Sequence, residues 1–292
     1  MLAPCTMTAR ASSPDRWDER IARAGRLAER YPAAADILTF YGKLAGYQQS
    51  LAARWAPAEN ARASTDASRG FRFEADATGL TDRVLEATTD FLAWLDEAAP
   101  PGLADAVVEM RRLDRSAWRA VLDDYLGRRG SETAAPRAPR VFVVEALLQP
   151  LAEQLAGQRR PPADRLTPPP ATGESRCPFC DDRPLVGVLR EEGEGAKRSL
   201  VCGLCLTEWP YLRLVCPACG ERRFEALPVF TSEQVPGARV EACDTCRGYL
   251  KTIDLTQDGH AVPCVDDLAT VSLDLWARDQ GYTRVRSNLL MT

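Results

Sequence analysis

The chain has a single histidine, His260, in 292 residues, and no GxSxG segment, so a serine–histidine hydrolytic site has no candidate in it. It also lacks a glycine-rich phosphate loop. The GKLAG and GRRG segments have neither the spacing nor the preceding strand that such a loop needs, which leaves nucleotide binding unsupported. No apolar run is long enough to cross a bilayer. The most apolar stretch, 141–152, is broken by Glu145, Gln149 and Pro150 and falls short of the roughly 18 residues a span requires, so no membrane insertion is expected. The first residues, with Arg10 and no apolar core of a secretory signal, point to a cytoplasmic protein. An excess of positive charge is missing too. The formal net charge is −4, and acidic side chains outnumber basic ones between Cys177 and Cys264, so a surface that neutralises a nucleic-acid backbone is not expected there.

What the first half lacks, the second half has in excess. Apart from Cys5, no cysteine precedes Cys177, and the other nine fall between Cys177 and Cys264. Eight of them form four CxxC pairs: Cys177 and Cys180, Cys202 and Cys205, Cys216 and Cys219, Cys243 and Cys246. In a reducing compartment such spacing indicates metal or redox chemistry before structural disulfides. Two intervening residues let a tight turn aim both sulfurs at one ion while the turn's N–H groups hydrogen-bond the thiolates. Gly220, Gly248 and Asp181 are the residues expected to take the left-handed conformations such turns favour. None of the pairs opens a helix in a βαβ setting, as a thioredoxin-type site would.

Segments 185–201 and 223–242 both alternate in hydropathy about a glycine-containing turn, which predicts a β-hairpin between the pairs of each site. The expected sites are therefore Cys177, Cys180, Cys202 and Cys205 for one ion, and Cys216, Cys219, Cys243 and Cys246 for the other. An interleaved cross-brace is the alternative. Four thiolates leave a tetrahedral ion no open position, so these ions are expected to fold the module, and sulfur ligation suits iron and zinc alike. Cys5 and Cys264 lie outside the pairs and are read as ordinary thiols, and His260 as a loop residue.

The length suggests about two domains. Residues 13–157 are read as an all-α helical bundle. Ser13 and Pro14 supply a helix start, a long amphipathic helix runs from Ile37 to Trp55, and further helices are expected over 81–98, 103–112, 116–126 and 139–155. The aromatic residues on these helices, among them Phe40, Tyr47, Trp94 and Trp118, are assigned to the core. Residues 158–176 form a proline-rich linker. The first four-cysteine ribbon occupies 177–212, and 213–292 holds the second ribbon and a closing helix over 265–282, with Asp266 or Asp267 as its cap. The fold class is thus α+β, a helical bundle followed by two rubredoxin-like or zinc-ribbon modules and a C-terminal helix. Trp209 and Arg213, between the ribbons, are candidates for a partner contact or for packing between ribbons.

The segments CPFC, LVCGLCLTEWPYLRLVCPACG, VEACDTCRGYLKTID and DDLATVSLDLWARDQGY, in this order, resemble the FdhE family of formate dehydrogenase accessory proteins. The resemblance covers 177–282, while the helical half is compatible through similar length, helical character and a proline-rich junction. It implies a cytoplasmic protein that is not an enzyme and is needed for active respiratory formate dehydrogenase. It further implies contact with that enzyme's catalytic subunit before export, and rubredoxin-like sites on the eight paired cysteines. A redox role for iron in those sites, or a nucleic-acid-binding regulator, are the competing functions.

Overall fold

The computed structural model describes residues 14–55, 80–128, 139–157 and 175–290. Ser13, Cys5 and residues 158–174 of the proline-rich segment lie outside them.

Six helices form the first half: α1 (Pro14–Arg30), α2 (Ala35–Arg54), α3 (Leu80–Ala98), α4 (Ala104–Arg111), α5 (Arg115–Arg128) and α6 (Pro139–Gly157). Helix α6 is the centre, with α2, α3, α4 and α5 packed round it. Its sequence explains this position. Phe142, Val143, Val144, Leu147, Leu148 and Leu151 are buried on all sides, which a surface helix with one apolar stripe would not allow. The polar residues that interrupt this run, Glu145, Gln149 and Glu153, are buried as well and form one stripe at i, i+4, i+8. Each has a partner. Glu145 accepts from Tyr125 and Arg286, Gln149 from Gln48, and Glu153 from Arg20 through two bonds of 2.6 and 2.9 Å. Pro150 sits inside the helix and has no N–H for the carbonyl of Ala146. Gln48 of α2 takes that place, its Nε2 donating to Ala146 O at 2.9 Å. The expected aromatic core is present: Trp94 packs against Phe40, Tyr47 and Phe91 with ring centroids 4.9–6.2 Å apart.

The second half is one mixed sheet of seven strands: β1 (Pro184–Glu192), β2 (Gly195–Cys202), β3 (Glu208–Pro210), β4 (Val229–Thr231), β5 (Ala238–Ala242), β6 (Gly248–Asp254) and β7 (Thr283–Arg284). The hairpins expected between the cysteine pairs are β1–β2, turning at Gly193, and β4–β5, turning before Gly237, both residues at positive φ. A third strand completes each ribbon, β3 on β2 and β6 on β5. The ribbons then fuse. Strand β1 of the first pairs in parallel with β6 of the second, from Val186 opposite Lys251 to Leu189 opposite Asp254, giving the order β3-β2-β1-β6-β5-β4, with β7 pairing β6 beyond the end of β1. At this seam Gly187 faces Thr252, whose Oγ1 would lie 2.3 Å from a Cβ at position 187. Only a residue without a side chain lets the ribbons meet here.

The closing helix expected over 265–282 is two helices, α7 (Pro263–Ala269) and α8 (Val271–Asp279), followed by β7. The break is at Thr270, and it has a cause. Lys251 Nζ, fully buried, donates to the carbonyl oxygens of Asp267 at 2.7 Å and Thr270 at 3.3 Å, and to Thr270 Oγ1 at 3.1 Å, so the last turn of α7 is bonded to a side chain instead of continuing. The helix starts earlier than expected, at Pro263 with Val262 as its N-cap, and Asp266 lies inside its first turns, its carboxylate accepting from Val262 N at 2.7 Å. Asp267 turns inward.

Composition divides the chain at its proline-rich segment, but packing joins the halves. One buried cluster includes Phe91, Leu147, Cys177, Cys202 and Trp209, and another includes Leu38, Tyr41, Val186, Val188 and Leu268. Trp209 is therefore core. Arg213 is exposed, within reach of only the Ala196 carbonyl at 3.5 Å among the described residues.

Candidate metal centres

Each CxxC pair builds the same turn. The N–H of its first cysteine donates to the carbonyl five residues on: Cys177 to Asp182, Cys202 to Thr207, Cys216 to Glu221 and Cys243 to Gly248, all at 2.8–3.0 Å. The residue after its second cysteine has positive φ: Asp181 at 65°, Leu206 at 51°, Gly220 at 78° and Arg247 at 57°. Asp181 and Gly220 match the sequence expectation. At the fourth turn the left-handed residue is Arg247, and Gly248 has a different duty. A Cβ there would lie 3.2 Å from Cys246 Sγ and 3.5 Å from Ala218 Cβ, and its N–H donates to that sulfur at 3.4 Å. Leucine and arginine tolerate the left-handed region poorly; Leu206 is buried in the core, and Arg247 is anchored by bonds of its own side chain. Arg247 donates to Asp244 Oδ1 at 3.0 Å and to Gln280 O at 2.6 Å, and its guanidinium lies over the Tyr282 ring.

The turns bring the sulfurs together in two quartets, Cys177/Cys180/Cys202/Cys205 and Cys216/Cys219/Cys243/Cys246, with all four sulfurs of each within 4.8 Å of one another. The grouping follows chain order, not the cross-brace. Sulfur–sulfur distances are 3.3 and 3.6 Å in the first quartet and 3.7 and 3.8 Å in the second. A tetrahedral ion about 2.3 Å from each sulfur sets separations of about 3.8 Å, whereas a disulfide needs about 2 Å. The described cysteines are free thiols. Backbone N–H groups of Phe179, Leu204, Ala218 and Gly248 each approach a cysteine sulfur at 3.4 Å, the donors a thiolate cluster needs to spread its charge. In each quartet one thiol is made more acidic. Burial opposes this at Cys205, but hydrogen bonds from Cys177, Cys180, Cys202 and Thr207 hold it well below the usual thiol range. Cys246 is drawn down to about 5 by the hydrogen bond from Cys216 and further bonds from its neighbours. The residues thus fit a sulfur-ligated ion such as zinc or single iron.

The quartets differ in their surroundings. The first is fully buried, and the residues inside its turns, Phe179 and Leu204, belong to the core shared with the helices. Arg286, from the C-terminal segment, ties it down by bonding both Asp182, beside the first turn, and Glu145 of α6. In the second, Cys216 and Cys243 are buried, Cys219 is half-buried and Cys246 is exposed. The corresponding turn residues are Ala218, half-buried, and Thr245, exposed. Thr245 Oγ1 and Arg223 both donate to Glu221, whose position matches that of Asp182.

Behind the second ribbon lies a group of buried charges of which sequence reasoning singled out only Asp267, and that as a helix cap. Lys251 and Arg284 share Asp267 and Asp274, Tyr249 donates to Asp274 at 2.8 Å, and Asn288 donates to Asp267 at 2.5 Å. Charged residues with apolar neighbours in the motifs GYLKTID and TVSLDLW, and the arginine-rich segment TRVRSN, were the available signal. His260 is exposed in its loop, its N–H donating to Asp258, and belongs to neither quartet. Cys264 is buried 3.7 Å from the Tyr41 hydroxyl, also apart from both.

Comparison with known proteins agrees with this architecture. Residues 176–213 match the model described as FdhE, central domain, and 215–291 the model described as FdhE, C-terminal domain. A protein FdhE homolog from Stutzerimonas stutzeri is 32% identical over 311 aligned positions, spanning 100% of this chain and 97% of the relative. One from Aquifex aeolicus is 32% identical over 196 positions, 66% of this chain and 65% of its own length. The crystal structure of the FdhE protein from Pseudomonas aeruginosa superposes with a TM-score of 0.72 at 27% identity, covering 98% of this chain and 99% of that one. The two matched domain models and a relative 32% identical over 97% of its length place the chain in the FdhE family.

Proposed function

We propose that this protein is an accessory factor in the maturation of respiratory formate dehydrogenase, that it acts in the cytoplasm on the enzyme's catalytic subunit before export, and that it performs no catalysis itself. Membership of the FdhE family supports the general role. The observation that carries the non-catalytic part is the pair of four-cysteine quartets. Four sulfurs fill the coordination of a tetrahedral ion and leave no position for a substrate. Two ions, iron or zinc, would be held by Cys177, Cys180, Cys202 and Cys205 and by Cys216, Cys219, Cys243 and Cys246. Their contribution is the shape of the cysteine region, because the turn of Cys202 and Cys205 begins at the end of β2 and that of Cys243 and Cys246 joins β5 to β6.

No helix among the described residues is long and apolar enough to cross a membrane. Exposed Leu214, Phe224 and Val229 lie in the second ribbon and Leu212 immediately before it, whereas α4 and α8 expose one large apolar residue each, Val108 and Leu275, so the apolar residues open to a protein partner are densest around the second ribbon. The test is deletion of the gene with affinity capture of the tagged chain from formate-grown cells. Loss of respiratory formate oxidation at unchanged transcript level, and recovery of the catalytic subunit with the bait, are expected. Undiminished oxidation in the deletion strain, or capture without that subunit, contradicts the reading.

A further inference from the structure

We infer that the two quartets divide the work of metal binding, the first holding its ion for as long as the chain is folded and the second acting as the site where a divalent metal enters, leaves and meets external ligands. The ligand sets are identical, so the difference comes from what surrounds them.

Exchange at a four-thiolate ion is stepwise. A donor atom from outside bonds to the metal as one metal–sulfur bond breaks, the released thiolate takes up a proton, and no electrons are transferred. The incoming donor must reach the metal–sulfur edge. At the first quartet every sulfur lies in residues no more than 2% exposed, behind Phe179 and Leu204, which are 3% and 1% exposed. Both turns belong to the buried cluster that includes α6, and Arg286 bridges Asp182 to Glu145 across the same contact. Reaching that ion requires the helices to part from the sheet, an opening as costly as much of the fold. At the second quartet, Cys246 is exposed and Cys219 half-buried, so one sulfur edge faces solvent in the folded state. The turn residues leave it open. Where the first site has Phe179 and Leu204, the second has Ala218 and Thr245, neither buried. Thr245 and Glu221 hold the turns in position by a 2.6 Å bond on the exposed side, so a detached Cys246 has a preformed site to return to. The asymmetry is written in the turns themselves, CPFC and CGLC against CPAC and CDTC.

This inference rests on the quartets being metal sites, which the metal content of the starting protein checks separately. A zinc-reconstituted full-length chain that carries fewer than two ions overturns both. With two ions bound, release to the chromophoric chelator 4-(2-pyridylazo)resorcinol is followed in native buffer. One equivalent should leave in a fast phase and the second at least about tenfold more slowly, since local openings cost less than global ones. The slow phase alone should accelerate steeply with urea. Alkylation of the same protein by iodoacetamide, mapped by mass spectrometry, should reach Cys246 and Cys219 before any cysteine of the first quartet. Cys246→Ser should carry one equivalent, released at the slow rate. Release of both equivalents at one rate overturns the proposal, as does labelling of the first quartet as early as the second, or a wild-type fast phase in Cys246→Ser. Should that variant fail to fold, the labelling order of the wild-type chain decides.

Discussion

Arg286 donates from Nη2 to Asp182 Oδ2 at 2.8 Å, and this pair, at most about a twentieth exposed on either side, ties the C-terminal segment to the first cysteine turn. The same guanidinium reaches Glu145 of α6, so one residue near the chain's end joins the helices, the first quartet and the tail. Gly203, inside the CGLC turn, makes room for it, because a Cβ there would lie 2.7 Å from Arg286 Nε.

Arg286→Met removes the guanidinium bonded to two buried carboxylates, Asp182 and Glu145, which should cost about 3–5 kcal/mol in equilibrium unfolding by urea. Gly203→Ala in the intact chain should cost about 1–3 kcal/mol by pushing the guanidinium aside. In an Arg286→Ala background that cost should shrink, since the Nε and Cγ atoms that a Cβ at position 203 would meet are both gone. Equal costs in both backgrounds would mean that Gly203 acts through its own backbone.

The seam between ribbons makes a second coupled pair. Gly187→Ala should destabilise by about 1–3 kcal/mol through the clash with Thr252 Oγ1, and Thr252→Ala, which deletes that oxygen, should recover part of the loss. Hydrogen exchange should show both ribbons protected to the same extent in the wild type, because β1 and β6 form one sheet.

Leu204 fills the core side of the first quartet and is 1% exposed. Leu204→Ala should cost about 2–5 kcal/mol and open the buried sulfurs to solvent. Its slow equivalent of zinc should then leave faster, whereas Thr245→Ala, at the exposed counterpart, should leave the slow phase unchanged.

Asp267 is fully buried, and against the burial that would raise it, the charges of Arg284 and Lys251 hold its carboxyl below the usual carboxylate range. A folded value below the unfolded one, about 3.9, means that its stabilisation is complete above the unfolded value and is lost as pH falls through the folded one. The stability difference between wild type and Asp267→Asn should therefore be largest near neutral pH and shrink in acid. Taking the difference cancels the acid-driven loss of metal common to both chains. A gap that stays constant from pH 6 to pH 2 would contradict the pairing.

Sequence patterns revealed the parts of this molecule that are built locally. The long helix ending near Trp55 shows its 3.6-residue period, and the CxxC turns are complete within about six residues, so both could be read directly. The grouping of the quartets followed from the hairpins between them, which are local too. The parts not foreseen depend on long-range partners. Fusion of the ribbons through β1 and β6 joins residues more than sixty positions apart, and no periodicity marks it. The break at Thr270 comes from Lys251, a residue of another element, and the expected single helix had no internal reason to stop. Gly248 looked like a residue chosen for its torsion angles, yet it is required by the closeness of Cys246 and Ala218, which only the assembled site reveals.

Metal content measured by plasma mass spectrometry, with a count of free thiols in the same sample, tests most directly whether the eight paired cysteines form two sulfur-ligated sites. The full-length chain purified under reducing conditions should carry two ions, zinc or iron, and a Cys202→Ser and a Cys243→Ser variant should each lose one. A wild-type chain that folds without metal, with its paired cysteines oxidised to disulfides, would contradict it.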